Sequence, residues 1–102
     1  MLLYNVTVTI DPAIADEWLE WMQQKHIPEV MATGCFTENR ICRMLVPAPE
    51  ADAGISFAFQ YHCPDQDTLN RYFSEFAPAL QKDHAERYNG RFAAFRSVLE
   101  IL

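Results

Sequence analysis

Between Ile55 and Cys63 the chain reads ISFAFQYHC. Every second residue is apolar: Ile55, Phe57, Phe59, Tyr61 and Cys63 alternate with Ser56, Ala58, Gln60 and His62. Strand side chains point to opposite faces in turn, so this stretch demands a sheet with one aromatic face and one small or polar face. A helix, with about 3.6 residues per turn, would scatter the same aromatics around its axis. Leu2 to Ile10 repeats the pattern, with Tyr4, Val6, Val8 and Ile10 on one side and Leu3, Asn5, Thr7 and Thr9 on the other. Two such strands need other elements to cover their apolar faces.

The covering elements are helices. Asp11-Pro12 is a start signal, since Asp caps free N–H groups and Pro needs none at the first helical position. Ile14, Trp18, Trp21 and Met22 share one stripe at about 100° per residue. An unbroken helix would then carry Lys25 and Glu29 onto that stripe, and burying unpaired charge is costly. Pro28 disfavours helical geometry at Ile27 and removes a hydrogen bond. The expectation is a helix ending near His26, then a short second one from Pro28 to a left-handed cap at Gly34. Lys25, His26 and Glu29 would cluster at the break. A second helix opens at Pro64-Asp65, buries Leu69, Tyr72, Phe73, Phe76 and Leu80, is kinked or split at Pro78, and ends at Asn89-Gly90.

The remaining segments read as strands, Cys35–Val46 and Phe92–Leu102. Pro47, Pro49 and Gly54 bracket a wide connection with Glu50 and Asp52 exposed. The order is β-α-β-β-α-β, a ferredoxin-like α+β domain with a four-stranded antiparallel sheet and two kinked helices on one face. The 102 residues make one domain, residues 1–102.

The RNA-recognition motif shares this topology, and GISFAFQY has its alternating aromatics. RNA binding would turn Phe57 and Phe59 away from the helices, leaving Ser56, Gln60 and His62 to form the core. Such a core would be wet, so the aromatics face the helices. A net charge of −6 also argues against nucleic acid or an anionic membrane as partner. No apolar run reaches the length of a membrane span, and the N-terminus lacks a basic region followed by an apolar one, which points to the cytoplasm. Cys35, Cys42 and Cys63 have no C-x-x-C spacing and read as reduced thiols.

Phe95, Leu99 and Ile101 are expected to share one face of the last strand, and the open face to carry Asn5, Thr7, Thr9, Ala58, Gln60, Ala94, Arg96, Val98 and Glu100. That surface is either solvated or packed against a second copy at about 10 Å, with Arg96 and Glu100 pairing across a two-fold. Arg96 and Arg43 are expected to pair with Glu100 or Glu38.

Two readings of the kink stand. In one, Lys25 and Glu29 form an exposed ion pair and His26 satisfies freed backbone groups. In the other, His26 and Glu29 are an acid–base pair, since a carboxylate can move an imidazole pKa across neutrality. Lys25, Trp21, Tyr61, Tyr72 and His84 would line the adjoining cavity and suit a flat apolar ligand. His62 belongs to the outer sheet face. The three histidines are far apart with no i, i+4 pair, so no metal site is expected. No cofactor fingerprint is present, and none is expected.

The helix W-x-x-W-M leading into HIPEVMATGCF, the opening YNVTVTID and the closing FAAFRSVLEIL resemble a bacterial family of short domains of unknown function. The helix-His-x-Pro-to-Gly pattern is more distantly similar to the dimeric α/β-barrel superfamily. That group includes antibiotic-biosynthesis monooxygenases, stress-responsive barrel proteins and ethyl-tert-butyl-ether-degradation-type proteins. The resemblance implies a ferredoxin-like protomer, a homodimer whose sheets pack into a barrel, and a ligand cavity between sheet and helices. His26 matches a recurring position. Fold does not fix chemistry. Two functions stay open: a small-molecule-binding dimer, or a cofactor-independent monooxygenase-like or isomerase-like enzyme with His26 as acid/base.

Overall fold

The computed structural model describes residues 1–50 and 53–102. The expected exposure of Asp52 lies outside the described residues. Four strands form one antiparallel sheet in the order β2-β3-β1-β4: β1 (Leu2–Ile10), β2 (Glu38–Arg43), β3 (Ile55–Cys63) and β4 (Phe92–Glu100). Two helical arms cover one face. The first holds α1 (Ala15–Trp21) and α2 (Ile27–Ala32), the second α3 (Gln66–Arg71) and α4 (Ala77–Arg87). This is the expected ferredoxin-like arrangement, and no helix among the described residues is long and apolar enough to cross a membrane.

β1 and β3 run over the residues expected of them. Tyr4 opposes Tyr61, Val6 opposes Phe59 and Val8 opposes Phe57. Directly opposed residues share a face, so the two apolar rows merge under the helices. Trp18 is fully buried against Phe57 and Phe59, with ring centroids 5.6 and 5.5 Å away. The aromatic row of β3 thus faces inward. Both arms begin as expected: Asp11 accepts from the Ala13 N–H at 2.9 Å and Asp65 from the Thr68 N–H at 2.8 Å.

The prolines do not end the helices. Ile27 keeps helical geometry at φ −60°, ψ −46°, and its N–H donates to the carbonyl of Met22, five residues back. Met22–His26 is a π turn, and Tyr72–Phe76 is a second one, closed by Ala77 N–H to the Tyr72 carbonyl. Each sits just before a proline, Pro28 or Pro78. A widened turn moves the ring off the carbonyl it would strike and confines the lost hydrogen bond to one place. The inserted residue also rotates the buried stripe by about 100°. After Trp18 and Met22 the stripe resumes at Ile27 and Val30, all four buried. Lys25 and Glu29, which an ideal helix would drive inward, stay exposed.

Two strands depart from expectation. β2 is confined to Glu38–Arg43. Cys35 and Phe36 drop into the core, with Phe36 packed 4.8 Å from Tyr72 and 5.1 Å from Tyr61. Leu45 and Val46 are 72% and 88% exposed, so their apolarity does not mark a strand here.

β4 ends at Glu100 and faces the opposite way from the expected one. Val8 opposes Ala94, Val6 opposes Arg96, Tyr4 opposes Val98 and Leu2 opposes Glu100. Arg96 and Glu100 therefore lie on the helix side, not on the open face. Phe95 and Leu99 occupy the open face, 62% and 49% exposed. β4 is an edge strand with apolar residues on both sides, so apolarity alone does not orient it. The expected ion pairs do not form either. Among the described residues neither Arg96 nor Arg43 has a carboxylate partner; Glu38 meets His62 at 3.4 Å, and the Arg43 guanidinium lies 5.5 Å from the Phe57 ring.

Gly54 joins the connection to β3 at φ +96°. A Cβ there would come within 2.8 Å of the Thr9 methyl and 2.9 Å of the Ile10 carbonyl. Both the dihedral and the close approach require glycine.

Candidate functional site

A slot opens between the sheet and the two arms. Tyr4, Val6, Val8, Phe59, Tyr61, Ala94 and Arg96 form its sheet side. Met22, His26, Val30, Tyr72, Leu80, Gln81 and His84 form its helix side. The empty space, counting the open mouth and the solvent in it, is about 500 Å³. The part in which the centre of a water molecule can move is only about 40 Å³, so the slot is narrow. The small side chain of Ala94 leaves the gap on the β4 side.

The π turns deliver the helix side. Met22 and His26 are the first and last residues of one, and Tyr72 is the first of the other. π turns of this kind occur often at functional sites because they re-aim side chains within an otherwise regular helix.

Two imidazoles meet in the slot with ring centroids 5.8 Å apart. His84 is buried, and its Nε2 accepts the Trp18 indole N–H at 2.9 Å. Burial pushes its pKa down to about 4, helped by His26 and Arg96 and opposed by Asp83. His26 stacks on Trp21 at 5.6 Å with the rings 28° apart. Its Nδ1 is buried and has no hydrogen-bond partner among the described residues. Burial lowers the His26 pKa as well, against the pull of the Glu29 and Asp83 carboxylates. Both rings are therefore neutral at physiological pH. Burial raises the pKa of Tyr4, Tyr61 and Tyr72, and the Arg96 guanidinium pulls Tyr4 and Tyr72 the other way.

Four of the sequence-derived residues line the slot: His26, Tyr61, Tyr72 and His84. Three do not. Lys25 lies outside, reaching Asp83 at 2.9 Å and Glu29 at 3.3 Å, and so clips the two arms together. Those carboxylates, Asp83 foremost, raise the lysine pKa. Glu29 is thus engaged by Lys25. Trp21 backs the site, between His26 and the Lys25 and Arg87 cations on its outer side, with the buried Tyr88 ring edge-on 5.5 Å away. Nor does His26 satisfy backbone groups freed at the kink, since the π turn closes its own bonds and Nδ1 is left alone. No cluster of three or more His, Cys, Asp or Glu able to hold a metal occurs among the described residues. Cys35, Cys42 and Cys63 are free thiols.

Sequence reasoning missed Tyr4, Gln81 and above all Arg96 as site residues. The signal for Arg96 was present: a lone guanidinium two residues from Ala94 on one face of an apolar strand leaves both room and charge.

The fold recurs in solved structures. An ethyl tert-butyl ether degradation (EthD) family protein from Bacillus halodurans C-125 superposes with a TM-score of 0.72 at 13% identity, covering 100% of both chains. HapK from Hahella chejuensis gives 0.69 at 12% identity over 100% of this chain and 93% of its own. SnoaB, a cofactor-independent oxygenase from Streptomyces nogalater, gives 0.66 at 12% identity over 98% of this chain and 92% of its own. At such identities the likeness is one of fold alone. No curated protein matches in sequence. The family profile described as a domain of unknown function, DUF4286, matches residues 1–102, and the chain belongs to that family.

Proposed function

We propose that the slot binds a small, flat, largely apolar molecule carrying a weakly acidic oxygen, such as a phenol or an enol. One observation supports this reading: a guanidinium with no carboxylate partner among the described residues converges with two neutral imidazoles and three phenol rings in a largely apolar cleft. Apolar walls favour the ring system by burial, and a few placed polar groups set its orientation. Arg96 would take the oxygen as it gains negative charge. Titration with 2-naphthol, followed by calorimetry, tests this. Saturable binding that weakens about 10-fold or more in Arg96→Gln supports it, the order expected for a lost charged hydrogen bond. Unchanged affinity in that variant refutes the role of Arg96.

A homodimer through the open sheet face belongs to the same proposal. Phe95 and Leu99 form an apolar strip there, and burying such a strip is the usual reason for one. Phe95→Glu should yield a monomer by sedimentation, whereas Arg96→Glu should leave assembly alone.

A second reading is favoured by the unpartnered Nδ1 of His26. A neutral imidazole with a free lone pair can take a proton from an acidic O–H or C–H. The anion would form beside Arg96, and the imidazolium near Glu29 and Asp83, whose charges favour it. That is the first step of a cofactor-independent oxygenase, the activity named for SnoaB, or of an isomerase. Solvent deuterium entering the α-position of 2-tetralone tests it. Exchange lost in His26→Phe supports the base role; exchange equal to that without enzyme removes it.

A further inference from the structure

Trp18 and His84 lie 66 positions apart and meet at 2.9 Å, indole Nε1–H to imidazole Nε2. An indole nitrogen only donates. While this bond stands, Nε2 of His84 holds a lone pair, and the proton of the neutral ring sits on Nδ1. Neither ring has freedom to turn. Trp18 is wedged between Phe57 and Phe59, and the His84 ring is held 4.2 Å from Phe92 and 5.7 Å from Tyr88. The other groups facing His84 are His26 from the first arm, Arg96 from β4 and Asp83 from its own helix. Nδ1 is the nitrogen left for a ligand on this wall of the slot.

We propose that Trp18 is a positioning residue that holds His84 as a fixed Nδ1–H donor, so that the slot selects molecules with a hydrogen-bond-accepting oxygen, a carbonyl or an oxyanion. The ligand half of this rests on the reading of the slot as a small-molecule site. It also divides the two imidazoles. His84 has its Nε2 lone pair occupied and its Nδ1 protonated, so it donates and does not act as base. Only His26 retains a lone pair for that task.

Long-range nitrogen–proton NMR of the labelled wild-type protein at neutral pH reads the tautomer directly. A protonated Nδ1 and bare Nε2 on His84 are expected; the opposite tautomer, or an average of the two, overturns the proposal. The ligand half is read with 2-acetylnaphthalene and 2-ethylnaphthalene, which differ in one carbonyl oxygen. The ketone should bind about 2- to 10-fold more tightly, the size of one net hydrogen bond. That ratio should fall to about one in Trp18→Phe, and in His84→Leu should the first variant not fold. Equal binding of both compounds to the wild type overturns the selection and leaves the cavity reading intact. Binding of neither, with the tautomer as stated, overturns the cavity reading and the ligand half with it.

Discussion

The two helical arms share one backbone device and carry different chemistry. Each starts at a capping Asp, runs into a π turn, and passes a proline two residues after that turn ends. Met22 and Tyr72 open the two π turns, and both are buried against the sheet. At the closing position the arms diverge: His26 in the first, Phe76 in the second. Phe76 packs against the core as a hydrophobe, while His26 leaves a buried nitrogen unpaired. Equivalent geometry thus supports either packing or chemistry, and the residue at the last π position decides which. A buried polar atom without a partner costs stability, and its presence among the described residues of only one arm is what the proposed base role of His26 draws on.

The largest effect should come from cutting away what the arms share. Tyr72→Ala is expected to lower stability by about 3–5 kcal/mol and Met22→Ala by about 2–5 kcal/mol, as for other large buried side chains. Urea unfolding measures both, and a loss confined to one arm would break the equivalence of the two π turns.

Acid comes next. The His84 pKa lies at about 4 in the folded protein against 6.5 for the ordinary imidazole, so between these values the unfolded chain binds the extra proton. Stability is complete above the unfolded value and falls as pH drops from 6.5 towards 4, by about 3 kcal/mol for this one group. Unfolding curves across that range, with His84→Leu as control, should show a shallower slope in the variant, the remainder coming from His26.

Exchanging the divergent residue sharpens the comparison further. His26→Phe copies the second arm into the first and removes the orphaned nitrogen. Stability should rise by about 1 kcal/mol, while proton exchange into 2-tetralone is lost. A destabilised His26→Phe would mean that Nδ1 does have a partner in solution. The smallest effect belongs to the clip between the arms. Lys25→Gln breaks surface pairs with Asp83 and Glu29, and the melting temperature should barely move. A large drop would show that the arms are held together from outside rather than through the core.

Much of the fold was legible because its signals are local. Period-two alternation located β1 and β3, and Asp with a following helical stripe located the start of each arm. The positions of the prolines were plain, yet their consequence was not. A break and a π turn satisfy the same local rule about Pro, and only the stripe that must be buried beyond it, Ile27 and Val30 in place of Lys25 and Glu29, distinguishes them. His26, Tyr61, Tyr72 and His84 could be named as site residues because they stand at the kink or on an inward stripe. Lys25 and Glu29 lie outside the slot because the π turn keeps them on the solvent side, where they form the exposed ion pair of the first reading of the kink.

What the sequence determined by itself was the set of elements, their order and the inward face of the two central strands, since each follows from spacing along the chain. The tertiary structure alone decided the facing of β4, and with it the site. An edge strand carrying Phe95 and Leu99 on one side and Ala94, Arg96 and Val98 on the other is oriented by its register against β1. That register brings Arg96 opposite Val6 and sets it in the slot. The bond from Trp18 to His84 likewise joins residues 66 apart. A cavity is the space that packing leaves unfilled, and no stretch of sequence contains it until the elements that enclose it have met.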